Sequence, residues 1–245
     1  MSLPPLVSAS RPAQSAAPLQ GWPLLRLGFR PFYLGTALLA CLAVPLWIAI
    51  FLGRIQVPLP MSPLLWHAHE MLFGFAAGVV VGFLLTAVKA WTGLETARGP
   101  LLGALALLWL AARLASLVAP YAVYATLDML LLPAVAAVLL RVLIKAGNKR
   151  NIPLICLLLL MAAANLVFHL SVLGIVAVPA VSALYAELAL ILMVVSVITG
   201  RVVPMFTRNV TPGLVINMPR KFELPLLAAT AVPLAMTGSA PPAPR

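Results

Sequence analysis

The stretch IPLICLLLLMAAANLVFHLSVL, from Ile152 to Leu173, contains no Asp, Glu, Lys or Arg. At about 1.5 Å of rise per residue, a helix of this length reaches across a hydrocarbon core roughly 30 Å thick. Backbone in lipid must satisfy its own hydrogen bonds, which leaves helices or closed barrels, and unbroken Leu and Ala runs lack the alternation of a barrel strand. Five more runs share this character: Leu34 to Leu52, Met71 to Val88, Leu101 to Ala119, Tyr121 to Leu140 and Ala183 to Val203. The expected fold is an all-α, polytopic transmembrane helix bundle of six spans, residues 34–203. A cytoplasmic segment, residues 1–33, precedes it. Residues 204–245 follow as a cytoplasmic loop, a short seventh apolar segment and an irregular tail.

Composition agrees, with 63% of the 245 residues hydrophobic and 9% charged, against about 25% charged in an ordinary soluble domain. The excess apolar surface makes the lipid bilayer the first partner. A net charge of +11 would by itself suit nucleic acid, but Lys and Arg sit in the short loops between apolar runs, so the charge reads as orientation and no nucleic-acid partner is expected. Arg11, Arg26 and Arg30, then Lys89 and Arg98, then Arg141, Lys145, Lys149 and Arg150, then Arg201, Arg208, Arg220 and Lys221 fall on alternate segments, whereas the opposite loops hold only Arg54. The positive-inside rule puts the N-terminus in the cytoplasm. Residues 1–23 have no continuous apolar core of a signal peptide, so insertion is expected to begin at the first span. Cys41 and Cys156 lie inside apolar runs, outside any CxxC or CxxCH pattern, and are expected to be small core residues. The seventh stretch, Leu224 to Met236, is too short to span comfortably. It fits an interfacial segment with a disordered tail, or an abbreviated copy of a longer protein.

Polar residues at lipid depth carry the functional signal. Arg113 and Asp128 lie about 9 and 10 Å below the outer ends of the third and fourth runs. A lone charge near a helix centre costs roughly 2.5 to 3.5 kcal/mol, so a structural ion pair is the economical arrangement, with a direct role in a site as the alternative. His169 and Glu187 each lie about 6 Å below the outer ends of the fifth and sixth runs, and Asn165 stands one turn inward from His169. At the outer mouth of the second run stands Trp66-His67-Ala68-His69-Glu70. Two imidazoles and a carboxylate in four residues suit copper, iron or zinc. Helical spacing would put His67 and Glu70 on one face and turn His69 elsewhere. The string lacks the HExxH spacing of zinc proteases, and an interfacial Trp with polar caps is the bland alternative. Gly74, Gly78 and Gly82 form a smooth face, fit for close helix packing or for a flat macrocycle.

Four strings together resemble the NnrS family. They are Phe29-Arg30-Pro31-Phe32; Trp66-His67-Ala68-His69-Glu70-Met71-Leu72-Phe73-Gly74; Thr86-Ala87-Val88 with Trp91-Thr92-Gly93; and Gly200-Arg201-Val202-Val203-Pro204-Met205-Phe206-Thr207-Arg208-Asn209. The histidine string and the last one are the specific ones. The resemblance runs from Arg26 to Asn209, with Lys89 and Ala90 standing where the family usually has Pro and Asn. It implies a bacterial inner-membrane protein with haem and copper as cofactors, acting in nitric oxide and nitrosative stress responses and in denitrification. It also implies about twelve membrane helices, so the chain looks like an N-terminal half whose partner is the other half or another membrane protein. His67, His69 and His169 are the expected metal ligands, with Glu70 and Glu187 completing the cofactor site and nitric oxide as the ligand. The Gly200 to Asn209 string, at the opposite face, reads as an Arg anchor at a helix end followed by a Pro stop. Two other classes stay open: a transporter or channel relaying protons or ions through Arg113, Asp128, His169 and Glu187, and a noncatalytic scaffold subunit.

Overall fold

The computed structural model describes residues 21–211, so Leu224 to Met236 lies outside the described residues. Six helices in this region are long and apolar enough to cross a membrane. They are α1 (Phe29–Phe51), α2 (Pro63–Thr92), α3 (Gly99–Val118), α4 (Tyr121–Lys145), α5 (Ile152–Val172) and α6 (Ala180–Val210). Their number and order match the sequence reading. The ends differ where hydropathy stops before helical geometry does. Helix α1 starts at Phe29 because its first turn tolerates Pro31, and Arg30 reaches back to donate from Nη1 to the Pro23 carbonyl at 2.6 Å. Helix α4 runs past Leu140 to Lys145, a basic residue suited to the negative end of the helix dipole, and Gly147 at φ +64° turns the chain out. Pro204 does not stop α6, which continues through it to Val210. The expected Pro stop is thereby corrected.

Helix α2 is the axis of the bundle. Of its central window 56% is buried, against 17% for α1. Helices α1, α3, α4, α5 and α6 pack in that sequence around it, each against the next. Its inner face supplies Val81, Leu84, Leu85 and Val88, which meet Leu139 of α4 and Leu158 of α5 in one hydrophobic core. Outward-facing Leu38, Leu107, Leu160 and Leu192 are exposed. An all-round apolar helix surface of this kind needs lipid as its solvent. Cys41 and Cys156 are on exposed faces, which corrects their reading as core residues: an apolar run fixes depth but not azimuth.

Helix α2 also begins eight residues before Met71, at Pro63, with Ser62 as N-cap accepting from Leu65 N–H at 3.3 Å. The histidine string therefore lies inside the helix and not at its mouth, and Trp66 is 2% exposed, with Nε1 donating to Ser116 Oγ at 3.1 Å. An interfacial Trp is excluded. From Glu70 to Ala76 the helix widens into a π-helical segment, closed where Ala77 N–H bonds the Leu72 carbonyl. Such segments re-aim side chains and concentrate at functional sites. The loosened ladder lets the Gly74 carbonyl accept from Trp109 Nε1 of α3 at 2.9 Å. The glycine face is covered by protein: a Cβ at Gly74 would come within 2.8 Å of Arg113 Nη1, and one at Gly78 within 2.6 Å of Thr36 Cγ2. Close packing against α1 and α3 is what the glycines serve, so the macrocycle reading of this face fails.

Candidate metal centre

Just below the ends of α3 and α4, four helices bring their polar residues to one place. His69 and Glu70 come from α2, Arg113 from α3, Tyr121, Tyr124 and Asp128 from α4, and Asn165 and His169 from α5. His69, Glu70, Arg113, Asp128, Asn165 and His169 are all buried. The α4 contribution follows from spacing, because 121, 124 and 128 recur at three and four residues on one helix face. Asn165 and His169 likewise stand at i, i+4 on α5.

The two imidazoles point the same edge at the same oxygen. His69 Nε2 lies 3.4 Å and His169 Nε2 3.1 Å from Asp128 Oδ2. The three ligand-type atoms lie within 4.8 Å of one another, a compact two-histidine, one-carboxylate set. The opposite ring nitrogens are held by phenols: His69 Nδ1 is 2.8 Å from Tyr124 Oη and His169 Nδ1 is 2.8 Å from Tyr121 Oη. With each Nδ1–H donating to its phenol, both Nε2 lone pairs are free to converge. Tyr124 Oη in turn donates to Glu70 Oε1 at 3.2 Å, giving a chain from His69 through Tyr124 to Glu70. Outer partners of this kind fix the tautomer and orientation of a ligating histidine. Asn165 Nδ2 donates to Asp128 Oδ2 at 2.7 Å, and its Oδ1 lies 3.1 Å from His69 Nε2, so the amide packs against the edge where the ligand atoms meet.

Arg113 ties the carboxylates down. Its Nη1 donates to Glu70 Oε2 at 2.9 Å and its Nη2 pairs with Asp128 Oδ1. Asp128 thus divides its oxygens, one to the guanidinium and one to the imidazoles. The expected Arg113–Asp128 pair forms, but as part of the histidine cluster and not apart from it. Two buried carboxylates share one guanidinium, so the cluster has a formal charge of −1 when the imidazoles are neutral.

The chemistry of the donors fits a single ion, since neutral imidazole and carboxylate oxygen suit copper, zinc and non-haem iron. It does not fit a macrocycle. His69 Nε2 faces Asp128 Oδ2 at 3.4 Å and Asn165 Oδ1 at 3.1 Å, and the rings of Phe73 and Phe168 stand 4.8 and 4.3 Å from its own, so side chains fill the space in front of the nitrogen that a haem plane would need.

Two sequence candidates stand elsewhere. His67 turns toward α1 and stacks on Trp47, centroids 4.1 Å apart and planes 15° apart. The expectation that His67 and Glu70 share a face while His69 points away is therefore reversed: His69 and Glu70 enter the cluster and His67 leaves it. The Glu187 carboxylate is buried and neither of its oxygens has a hydrogen-bond partner, so the imidazoles are oriented by Tyr121 and Tyr124 instead. Those two tyrosines were missed because a Tyr near a helix end reads as a membrane-interface anchor. Their three-residue spacing and the four residues from Tyr124 to Asp128 were the available signal.

Comparison with known proteins gives one match: the family model described as NnrS protein matches residues 23–244. No curated protein and no solved structure matches the chain.

Proposed function

The chain belongs to the NnrS family, and on that premise we propose that it is a bacterial inner-membrane copper protein of the nitric oxide and nitrosative stress response. The observation that carries the reading is the convergence of His69 Nε2 and His169 Nε2 on Asp128 Oδ2. These three residues would hold the ion, and a bound copper would supply an open coordination position for nitric oxide together with a one-electron couple. Charge favours this choice. A monovalent copper brings the −1 cluster to neutrality at lipid depth, where an uncompensated charge is most costly. Imidazole is also an accepted copper ligand. Haem is not assigned to this cluster.

The chain's own residues divide the remaining work. Tyr121 and Tyr124 hold the two rings in one tautomer, Arg113 aims Asp128 by pairing with its other oxygen, and Asn165 donates to Asp128 beside His69. Phe73 and Phe168 exclude water around His69. We place the metal at the periplasmic side and the N-terminus in the cytoplasm, because Lys89, Arg98, Arg141 and Lys145 crowd the opposite end. A reporter fused at Gly147 is expected to read as cytoplasmic; a periplasmic reading overturns the orientation.

The test of function is metal analysis of protein purified from copper-supplemented cells, followed by nitric oxide addition under electron paramagnetic resonance. About one copper per chain is expected, silent in the resonance as the monovalent ion and giving a paramagnetic signal once the odd-electron nitric oxide is added. Protein that binds no copper but carries proton flux in liposomes would instead support the transporter reading through the same charged residues.

A further inference from the structure

Between α1 and α3 a groove of about 610 Å³ opens sideways from the bundle, within the size range of sites for drug-sized molecules. Leu38 and Leu42 of α1 and Ala106, Leu110 and Leu114 of α3 form its walls, with Trp66 and Trp109 toward the interior. Two charged side chains line it, Glu70 and Arg113, both from the polar cluster. Neighbouring polar atoms are already engaged: Trp66 Nε1 donates to Ser116, Trp109 Nε1 to the Gly74 carbonyl, and both Glu70 oxygens accept. Arg113 Nε is the exception. It is buried and makes no hydrogen bond, although Arg113 is only 5% exposed. A buried N–H without a partner costs about 1 to 3 kcal/mol, so an acceptor delivered through the groove is rewarded.

The groove's chemistry narrows the occupant. An anionic head is disfavoured, because Glu70 and Asp128 already outweigh Arg113 in charge. A neutral carbonyl oxygen suits the unpartnered Arg113 Nε–H. Arg113 stands five residues from the end of α3, about 8 Å along the helix. Phospholipid ester carbonyls belong to the interface outside the hydrocarbon and do not sit at that depth. A planar neutral ring with carbonyl oxygens and a long apolar tail does, and the indoles of Trp66 and Trp109 give it flat surfaces. We propose that the groove between α1 and α3 binds a membrane quinone, with a ring carbonyl accepting from Arg113 Nε and the tail lying along Leu38, Leu42 and Leu110. This site is separate from the ion's ligands and does not depend on the ion being copper.

The test uses the full chain in phosphatidylcholine nanodiscs, where phospholipid is in large excess, titrated with decylubiquinone and read by tryptophan quenching. Wild type is expected to show a saturating component at about one quinone per chain. Ala106→Phe and Leu110→Phe, each filling the groove from α3, are expected to weaken it about tenfold while metal content and particle mass stay at wild-type values. Either variant suffices if the other does not fold. Decylbenzene, which has the tail but no carbonyl, is expected not to compete. Quenching that rises without saturation, affinity unchanged in a folded variant, equal competition by decylbenzene, or a doubled chain count per disc through α1 and α3 would each overturn the proposal.

Discussion

Arg113→Leu is expected to lower the stability of the detergent-solubilised protein by about 3 to 5 kcal/mol, the range for removing one partner from a buried ion pair. The physical cause is that Glu70 and Asp128 are then two carboxylates in low dielectric with no cation between them. Adding Asp128→Leu should recover only part of the loss, because Glu70 keeps just its phenol donor, Tyr124. Adding Glu70→Gln as well should recover more. Unfolding titrations of the single, double and triple variants check this order. Full recovery in the double variant would mean that Glu70 is not held by Arg113, and a single-variant loss below about 1 kcal/mol would mean that the pair is effectively solvated.

The second expected result concerns the ion. His69→Ala and His169→Ala should each reduce bound copper from about one per chain to a tenth or less, because two remaining donors do not make a site for this metal. Tyr124→Phe should weaken copper binding by about tenfold to a hundredfold, the usual effect of removing a partner that orients a ligating histidine. His67→Ala should leave the metal content unchanged, since its ring stacks on Trp47 outside the cluster. Helix content measured on the same samples separates metal loss from unfolding. Undiminished copper in both His69→Ala and His169→Ala would sink the ligand assignment, and loss in His67→Ala alone would move the site to the α1 side of α2.

Depth was legible in the sequence and azimuth was not. The six spans follow from apolar length alone, and counting residues from the helix ends put Arg113 and Asp128 at one level, where they pair. The same count put Glu187 beside His169, yet it says nothing about which way a helix is turned, and the Glu187 carboxylate meets neither imidazole by a hydrogen bond. The histidine string was read on an ideal helix, whereas Pro63 starts α2 early and the widened turn begins at Glu70. The tyrosines escaped because their phenols serve equally well as membrane-surface anchors. Only the polar face they share with Asp128 distinguishes the two uses.

The widened turn from Glu70 to Ala76 has a consequence for how this protein tolerates change in length. A π turn is an α-helix holding one residue more than its geometry requires, so loss of a single residue there would restore an ordinary helix. Gly78 and Gly82 keep their register against their neighbours, with His69 and everything before it swung by about 100° and drawn in by about 1.5 Å. The rings would then leave Asp128 while the bundle remained intact. A codon deletion within residues 70–76 is thus a change the fold can absorb and the ligand set cannot, and it separates the heredity of the scaffold from that of its metal chemistry.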